Sequence, residues 1–400
     1  MKRLFRAIFH IDHVLVTLTT MGIIYVIVGV AFNISFLSPV ARTIDNFSMT
    51  DIFYDIANSD GKMDTSDIVT LVDMTPEFDR GRLASLIEEI DSLEPAMLGI
   101  DIVFDGIRED REGNERLVEA VCSITSPTVW AYKMTDWSDE EGQFKDSFHS
   151  FFAEDVEGLN EGYANVQRDV NGGTVRSYSI KRMAEGNWSY SLPAKVSVGF
   201  LGDSALLGNK TDCTICYNSI HFPVVPYDSL ENYADLIRGH IVLLGALDDQ
   251  RDQHYTPIGR IAGLSVLAYA IQTMVKRQIP LEFSFWETMF FTLLFIWLGQ
   301  LCQHGFSRYL VKRKNKVLCY IGESGMASSL MAFFLMGLLV GVCFWLFFRY
   351  NICLNTMWAI MGIALLDNAR ELYAFVIHLL SSKYNWHWVR RSLYKLNTPT

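Results

Sequence analysis

Four long stretches of mainly apolar residues limit what this chain can fold into. They cover residues 14–37, 283–302, 326–348 and 352–374. A helix of about 20 apolar residues crosses the hydrocarbon core of a bilayer, so we predict four transmembrane helices. The first stretch is too long, and its outer end too bulky, for a cleaved signal peptide. It should therefore remain as a membrane anchor, and the lipid bilayer is the first expected partner.

The charged residues divide the chain into two parts of opposite sign. Residues 38–282 contain 40 acidic and 20 basic residues, whereas the rest of the chain contains 5 acidic and 14 basic residues. Basic residues stay on the cytoplasmic side of short loops. With four crossings, the basic segments 1–13, 303–325 and 381–400 all fall on that side. We therefore predict two cytoplasmic termini and an extracytoplasmic domain at residues 38–282.

The fourth apolar stretch is interrupted by Asp367, Arg370 and Glu371. In one interpretation these residues lie inside the bilayer, where ionisable groups are costly and usually functional. In the other, the span ends before them and the chain continues as an amphipathic helix at the membrane surface, with Asp367 and Arg370 as a surface pair. We favour the second interpretation, because residues 350–366 alone can cross a bilayer.

The acidic segment alternates strands and helices, which is typical of α/β proteins. Short apolar runs predict strands at residues 68–72, 97–103, 128–132 and 241–244. The first helix should begin at Thr75 and Pro76. Helical spacing predicts that its buried face comprises Leu83, Leu86, Ile87 and Ile90. Because helical crossovers join parallel strands, we predict a mostly parallel sheet with helices, extended by an antiparallel insertion at residues 135–217.

Acidic residues gather where the predicted strands end. Asp73, Asp101 and Asp105 lie at or just past two strands that we expect to be neighbours, and a further acidic group follows residues 241–244. This further group comprises Asp248, Asp249, Asp252 and His254. Ligands of open α/β sheets bind outside the carboxyl ends of the strands. We therefore expect a site for a cationic ligand or ion, or an acid/base pair for hydrolysis.

The main alternative is that these aspartates cap neighbouring helices and loops. No glycine-rich phosphate-binding loop follows any of the strands, so we expect no nucleotide or other cofactor. The acidic composition argues against nucleic acid as a partner. Cys213 and Cys216 form a CxxC pair, but residues three apart in a strand point to opposite faces, which disfavours a disulfide bond between them.

Four passages carry a resemblance to a known family. They are IVTLVDMT at residues 68–75, RLASLI at 82–87, MLGIDIVFD at 97–105, and the block from RGHIVLLG to AIQTMV at 238–275. They resemble the CHASE2 domain, an extracytoplasmic sensor module of bacterial signalling receptors. The likeness covers residues 51–278 and implies a location in the bacterial inner membrane with the sensor domain in the periplasm. Its Asp…His…Thr-Pro block adds Thr256 to the candidate ligand-binding residues.

The resemblance implies a sensory or adaptor protein that is not an enzyme. The outer domain would bind an unknown small ligand or a periplasmic protein. Receptors of this family continue into a cytoplasmic output domain, whereas about 20 residues follow Leu380 here, too few for a catalytic fold. We therefore expect the helices to signal to a separate signalling or membrane protein, and a homodimer also fits.

Two other functions are weaker. A membrane-tethered hydrolase would use the aspartates at the strand ends, but no nucleophile–base motif of known mechanism is present. A transporter is disfavoured, because the four predicted spans contain few polar groups and no paired broken helices.

Overall fold

The computed structural model describes residues 10–33, 49–59, 63–75, 79–166, 173–204, 208–383 and 392. The chain divides into two compact units. The helical unit comprises residues 1–49 and 281–400, and the sheet unit comprises residues 50–280.

The helices and strands are as follows. The helices are α1 (Ile11–Asn33), α2 (Met49–Ser59), α3 (Arg80–Ser92), α4 (Arg111–Ser123), α5 (Leu192–Leu201), α6 (Ala234–Ile237), α7 (Gly263–Val275), α8 (Phe285–Val311), α9 (Lys316–Glu323), α10 (Met326–Tyr350) and α11 (Met357–Lys383). The strands are β1 (Asp64–Thr65), β2 (Val69–Asp73), β3 (Met97–Ile100), β4 (Thr128–Ser138), β5 (Gln143–Phe148), β6 (Glu161–Tyr163), β7 (Ser177–Ser179), β8 (Lys181–Ala184), β9 (Asn187–Tyr190), β10 (Asp212–Thr214), β11 (Ile220–His221), β12 (Val224–Pro226), β13 (Ile241–Gly245), β14 (Gln253–Thr256), β15 (Gly259–Ala262), β16 (Leu281–Glu282) and β17 (Ile352–Cys353).

The sheet unit is built on parallel strands in the order β12-β2-β13-β3-β4-β6. From β4 the sheet continues through antiparallel β5 to the β8–β9 hairpin. The predicted α/β class, with a mostly parallel sheet and an antiparallel addition, is confirmed. Because parallel sheets are covered on both faces, their strands read as the continuous apolar runs seen in the sequence.

One detail of the predicted strand order is wrong. The strands that end at Asp73 and Asp101 are not neighbours, because β13 lies between them. Leu244 of β13 is paired with Val72 of β2 on one side and with Ile100 of β3 on the other. All five residues of β13 are buried, which suits a central strand of a parallel sheet.

Helices cover both faces of this sheet. Helices α3 and α4 pack on one face, and the predicted buried residues of α3 join a core cluster with Ile100 and Leu244. Helices α5 and α7 pack on the other face. There Gly99 leaves room for close packing, because a Cβ at this position would lie 2.6 Å from the Leu243 side chain.

The first predicted helix starts later than expected. Helix α3 begins at Arg80, and the Asp79 carboxylate caps it by accepting a hydrogen bond from the Arg82 backbone N–H at 2.9 Å. Aspartate is a favourable N-cap residue. Thr75 instead donates its hydroxyl to Asp73, and Pro76 lies outside the described residues.

The helical unit contains the apolar stretches. Within the described residues, α1 (over Ile11–Val30), α8 and α10 are long and apolar enough to cross a membrane. Helix α11 is as long as α8 but contains Asp367, Arg370 and Glu371. It packs against α1 and α8, and α8 also packs against α10. The short strands β16 and β17 pair in parallel just before α8 and just after α10.

Candidate functional site

A cavity of about 510 Å³ lies at the carboxyl ends of the parallel strands in the sheet unit. Its charged and polar lining comes from the segments after β3, β6 and β13 and from strands β4 and β14. These residues are Asp101, Lys133, Asn165, Asp249, Arg251, Asp252 and His254. The apolar lining includes Val103, Phe148 and Val166. This is the position at which open α/β sheets bind ligands, and the volume suits a small molecule.

Asp101 is the least satisfied acid in the cavity. The residue follows β3 directly, and its backbone N–H is fixed by a hydrogen bond to Leu244 O at 2.9 Å. Its carboxyl group has no hydrogen bond or ion pair to any described residue. Burial and, to a smaller extent, the nearby Asp252 carboxylate raise the pKa of Asp101 to about 7, whereas Lys133 acts in the opposite direction. Near neutral pH both protonation states of the group are therefore populated.

Asp252 and His254 lie next to Asp101 as a pair. His254 Nε2 is 3.1 Å from Asp252 Oδ1, and the histidine side chain is 8% exposed. The other ring nitrogen, Nδ1, is buried and has no partner among the described residues. The Asp252 carboxylate also lies against Gly263, the first residue of α7, where a Cβ atom would clash with it. The positive end of a helix dipole favours a carboxylate there.

The structure separates the predicted site residues into two groups. Asp101, Asp249, Asp252 and His254 all line the cavity. Asp73, Asp105 and Thr256 do not line it. This outcome follows from the central position of β13 and from the local hydrogen bonds described next.

Asp73 and Thr256 make the capping contacts that the sequence also allowed. Asp73 Oδ1 accepts hydrogen bonds from the Thr75 backbone at 3.0 Å, the Thr75 hydroxyl at 2.7 Å and the Leu247 backbone at 3.2 Å. It therefore ties the loop after β2 to the loop after β13. Thr256 donates its hydroxyl to Gly259 O at 2.7 Å within the β14–β15 hairpin.

Asp105 is exposed and lines neither the main cavity nor a second pocket of about 260 Å³, which is lined by Arg80 and Asp101 among others. Arg80, a lining residue that is only 2% exposed, donates to Asp105 O and Gly106 O at 2.8 Å each, and also to Asn114. All of these acceptors are neutral. Burial lowers the pKa of Arg80, and the nearby Arg108 lowers it further.

Sequence reasoning missed the basic residues of the main cavity. Lys133 lies one position beyond the predicted strand 128–132, and Arg251 stands among the aspartates after β13. The predicted site comprised mainly acidic residues at strand ends. The available signal for Lys133 was its alternation with buried Tyr132 and Met134. Asn165 has a structural role, because its amide pairs with both backbone groups of Met134.

A polar cluster also lies inside the helical unit. Arg370 of α11 is 2.8 Å from Asp367 and donates to the Ser328 hydroxyl of α10 at 3.1 Å. It donates as well to Gln300 O of α8 at 3.3 Å, and its side chain is only 15% exposed. The ion pair thus joins three helices. It is not the isolated surface pair that we favoured from the sequence.

A fully buried carboxylate joins helices α1 and α11 of this unit. Asp12 of α1 is fully buried and accepts hydrogen bonds from the Tyr373 hydroxyl of α11 at 2.8 Å and from Ser392 at 3.0 Å. His10 Nδ1 lies 3.3 Å from the same carboxylate. The Asp12 carboxylate therefore has several partners.

The two cysteines of the CxxC sequence are not bonded to each other. Cys213 lies in β10 and Cys216 follows it, and both side chains are buried. Burial raises the pKa of the Cys216 thiol, which does not favour thiolate chemistry.

Comparison with known proteins identifies the family. The model of the CHASE2 domain matches residues 35–301, which is well over half of the chain. The chain therefore belongs to the CHASE2 domain family, a family of sensor domains. No curated protein and no solved structure matches it.

Proposed function

We propose that this CHASE2 protein is a membrane-bound sensor in which the 510 Å³ cavity binds a small ligand. The family supports a sensory role. The observation that carries the finer proposal is the Asp101 carboxyl group, which faces a cavity of ligand size without a partner among the described residues. The Asp101 side chain is partly buried, and a partly desolvated polar group without a hydrogen bond costs free energy. A cationic or hydrogen-bonding ligand would recover that free energy.

In the sequence, the helix that begins beside the cavity directly precedes the second predicted membrane span. Helix α7 begins at Gly263 against Asp252, and only residues 276–284 separate its end from α8. Helix α7 is buried along nearly its whole length. In this proposal, a displacement of its first turn by the ligand moves the whole helix as a rigid element. A ligand shifts such an element only if it prefers one of two arrangements. Because Asp252 lies in close contact with Gly263, a ligand that moves the Asp252 carboxylate would also move the first residue of α7.

Four transmembrane crossings fit the contacts within the helical unit. Asp12, at the start of α1, meets Tyr373 in the second half of α11. Gln300, in the second half of α8, meets Arg370 of α11, which also contacts Ser328 at the start of α10. Arg370 lies roughly 20 Å along the helix from Met357, within the thickness of a bilayer. Alternating helix directions and termini on one side agree with the charge distribution.

The signal would leave through a separate cytoplasmic protein. We expect this protein to contact the basic segment between α8 and α10, which includes α9, or residues 381–400. Polar groups buried between transmembrane helices contribute to how those helices associate. The Arg370 and Asp12 clusters would therefore decide how a displacement of α8 reaches α11.

Ligand binding can be tested on the full chain in lipid nanodiscs. The probe is the low-molecular-mass fraction of spent bacterial culture medium, and the readout is the thermal unfolding temperature. Wild type and Asp105→Asn, whose carboxylate is exposed outside the cavity, should both be stabilised, whereas Asp101→Asn should not. Equal shifts in all three proteins, or no shift in any, would contradict the cavity as the sensing site.

Topology and partner need separate experiments. A protease added outside spheroplasts should cut the sheet unit and leave a tag at the C-terminus intact. Loss of that tag would contradict the four crossings. Cross-linking in native membranes should then recover a signalling enzyme or regulator, and repeated recovery of this chain alone would argue against a separate output protein.

A second candidate function rests on the same carboxyl group. A carboxyl whose pKa is about 7, beside an Asp252–His254 pair, is also what general acid/base hydrolysis requires. A membrane-tethered hydrolase would turn over members of an ester and phosphate panel, and Asp101→Asn would abolish turnover. Absence of turnover by the intact protein, together with saturable binding, would favour the sensor.

A further inference from the structure

We infer that the sensed ligand is a small zwitterion, of which a free amino acid or a dipeptide is the simplest form. This inference rests on the proposed function and names the chemistry of its ligand. It follows from the charges that line the cavity, because acidic and basic groups share that space without neutralising each other.

The acidic side of the cavity fits an ammonium group. Asp101 has no partner, and the neighbouring Asp252 carboxylate has His254 on one oxygen. An ammonium group donates up to three hydrogen bonds to such acceptors. It would bind the ionised carboxyls in a partly desolvated place, where charge-assisted hydrogen bonds are strong.

The basic side fits a carboxylate. Lys133 and Arg251 line the same cavity, and neither side chain forms an ion pair or hydrogen bond with a described residue. Many other cations of this acidic domain are paired, among them Arg111, Arg116, Lys145, Arg176, Arg182, Lys276 and Arg277. Lys133 and Arg251 are exposed to solvent, so both side chains are accessible to a ligand that also contacts the three cavity carboxyls.

The Lys133 ammonium group and the Asp101 carboxyl group are separated within the cavity. Its ammonium group lowers the pKa of Asp101 but makes no ion pair with it. A ligand that carries both charges would bridge this gap, whereas an ion of one sign would leave the other set unsatisfied. Electrostatic complementarity of this kind gives specificity.

The remaining lining sets the size and the apolar part of the ligand. Val103, Phe148 and Val166 present apolar surface, and the cavity volume of about 510 Å³ accommodates an amino acid or a dipeptide. His254 adds a ring nitrogen, Nδ1, that is buried and has no partner among the described residues. It marks the acidic side as built for polar contacts rather than as an ordinary exposed acidic surface.

The test compares matched ligands on the full chain in nanodiscs by titration calorimetry. The probes are the twenty amino acids and the dipeptide Ala-Leu, followed by the amine and the acid that correspond to any probe that binds. For leucine these are isopentylamine and 4-methylpentanoate. We expect the zwitterion to bind about tenfold or more tightly than either. An amine that binds as tightly as its zwitterion overturns this inference and leaves the cavity as a cation sensor.

The variants assign each charge. Lys133→Gln and Arg251→Gln should weaken binding of the zwitterion and leave binding of the amine unchanged, while Asp101→Asn should weaken both. Lys145→Gln is the matched control, because Lys145 pairs with Glu141 outside the cavity. Equal effects of Lys145→Gln and Lys133→Gln would overturn the assignment. Binding of none of the probes overturns the zwitterion, while the culture-medium experiment still tests the proposed sensor.

Discussion

A partly buried carboxyl group in the sheet unit and a fully buried one in the helical unit differ in how many hydrogen-bond partners they have. In the sheet unit, Asp101 faces a cavity and has no hydrogen-bond partner among the described residues. In the helical unit, Asp12 is fully buried but has Tyr373, Ser392 and His10 around it. The same side chain therefore serves two purposes. The Asp101 carboxyl group is free to bind a ligand, whereas the Asp12 carboxylate links α1 to α11 through its hydrogen bonds.

The difference follows from what surrounds each group. A cavity open to water lets an acid keep part of its hydration or take up a proton, so the fold tolerates the missing partner. Asp12 is fully buried, so no water can replace a lost partner, and an unpaired acid there would be far more costly. The contrast predicts that variants at the two places respond differently to pH and to the loss of a partner.

The largest effect is expected at Asp101, as a dependence of stability on pH. The pKa of Asp101 is raised in the folded state, from 3.8 to about 7, so the folded protein holds this proton more tightly than the unfolded chain. The resulting stabilisation is present below about pH 4 and is lost as the pH rises to about 7. Asp101→Asn, which cannot ionise, should therefore become more stable than wild type by about 2–4 kcal/mol at pH 8.

The measurement is the difference in thermal unfolding temperature between wild type and variant, from pH 4 to pH 8, without added ligand. The difference should grow through this window and level off above it. Asp105→Asn, an exposed aspartate close by in sequence, is the control and should follow wild type throughout. A pH-independent difference for Asp101→Asn would mean that the carboxyl is satisfied after all.

The next effect concerns the paired acid of the helical unit. Arg370→Ala removes the cation from Asp367 and the donor from Ser328 and Gln300. We expect a loss of about 1–3 kcal/mol in stability, because one charge of a partly buried pair is left behind. Thermal unfolding in nanodiscs measures it. Glu371→Ala, an exposed neighbour on the same helix, should have little effect.

A double variant separates the ion pair from simple packing. Arg370→Ala combined with Asp367→Ala leaves no uncompensated charge, so it should be less destabilised than the sum of the two single variants. Additive losses would show that the two side chains act independently. In that case the surface interpretation of the pair would return.

The sequence predicts the sheet better than the cavity. The apolar runs and the helical spacing of Leu83, Leu86, Ile87 and Ile90 report burial, and burial is what the fold requires of them. Strand order depends on which runs meet across the sheet, and nothing local to residues 68–72 or 97–103 indicates that β13 enters between them. For this reason Asp73 and Asp101 were expected side by side and are not.

Tertiary contacts also decide which of the predicted site residues line the cavity. Aspartates at strand ends are equally suited to capping and to binding, and only the tertiary contacts decide. Asp73 has three donors within hydrogen-bond distance and is occupied, whereas Asp101 has none. Arg251 could not be placed from the sequence, because an isolated cation near a strand end carries no motif, whereas the alternation of Lys133 with Tyr132 and Met134 was the one signal available. In the fourth apolar stretch, composition alone could not show that Arg370 has partners on two other helices.

The smallest effect tests whether Asp12 depends on any one partner. Tyr373→Phe removes a single hydroxyl that donates to Asp12 at 2.8 Å, and Ser392 and His10 remain beside the carboxylate. Because a hydrogen bond in a satisfied network contributes modestly, we expect a loss of about 1 kcal/mol. Tyr320→Phe, which changes an exposed tyrosine of α9, is the matched control and should unfold at the wild-type temperature. A loss at Tyr373 as large as that of Arg370→Ala would mean that Asp12 relies on this one donor, and the contrast with Asp101 would then be one of degree rather than of kind.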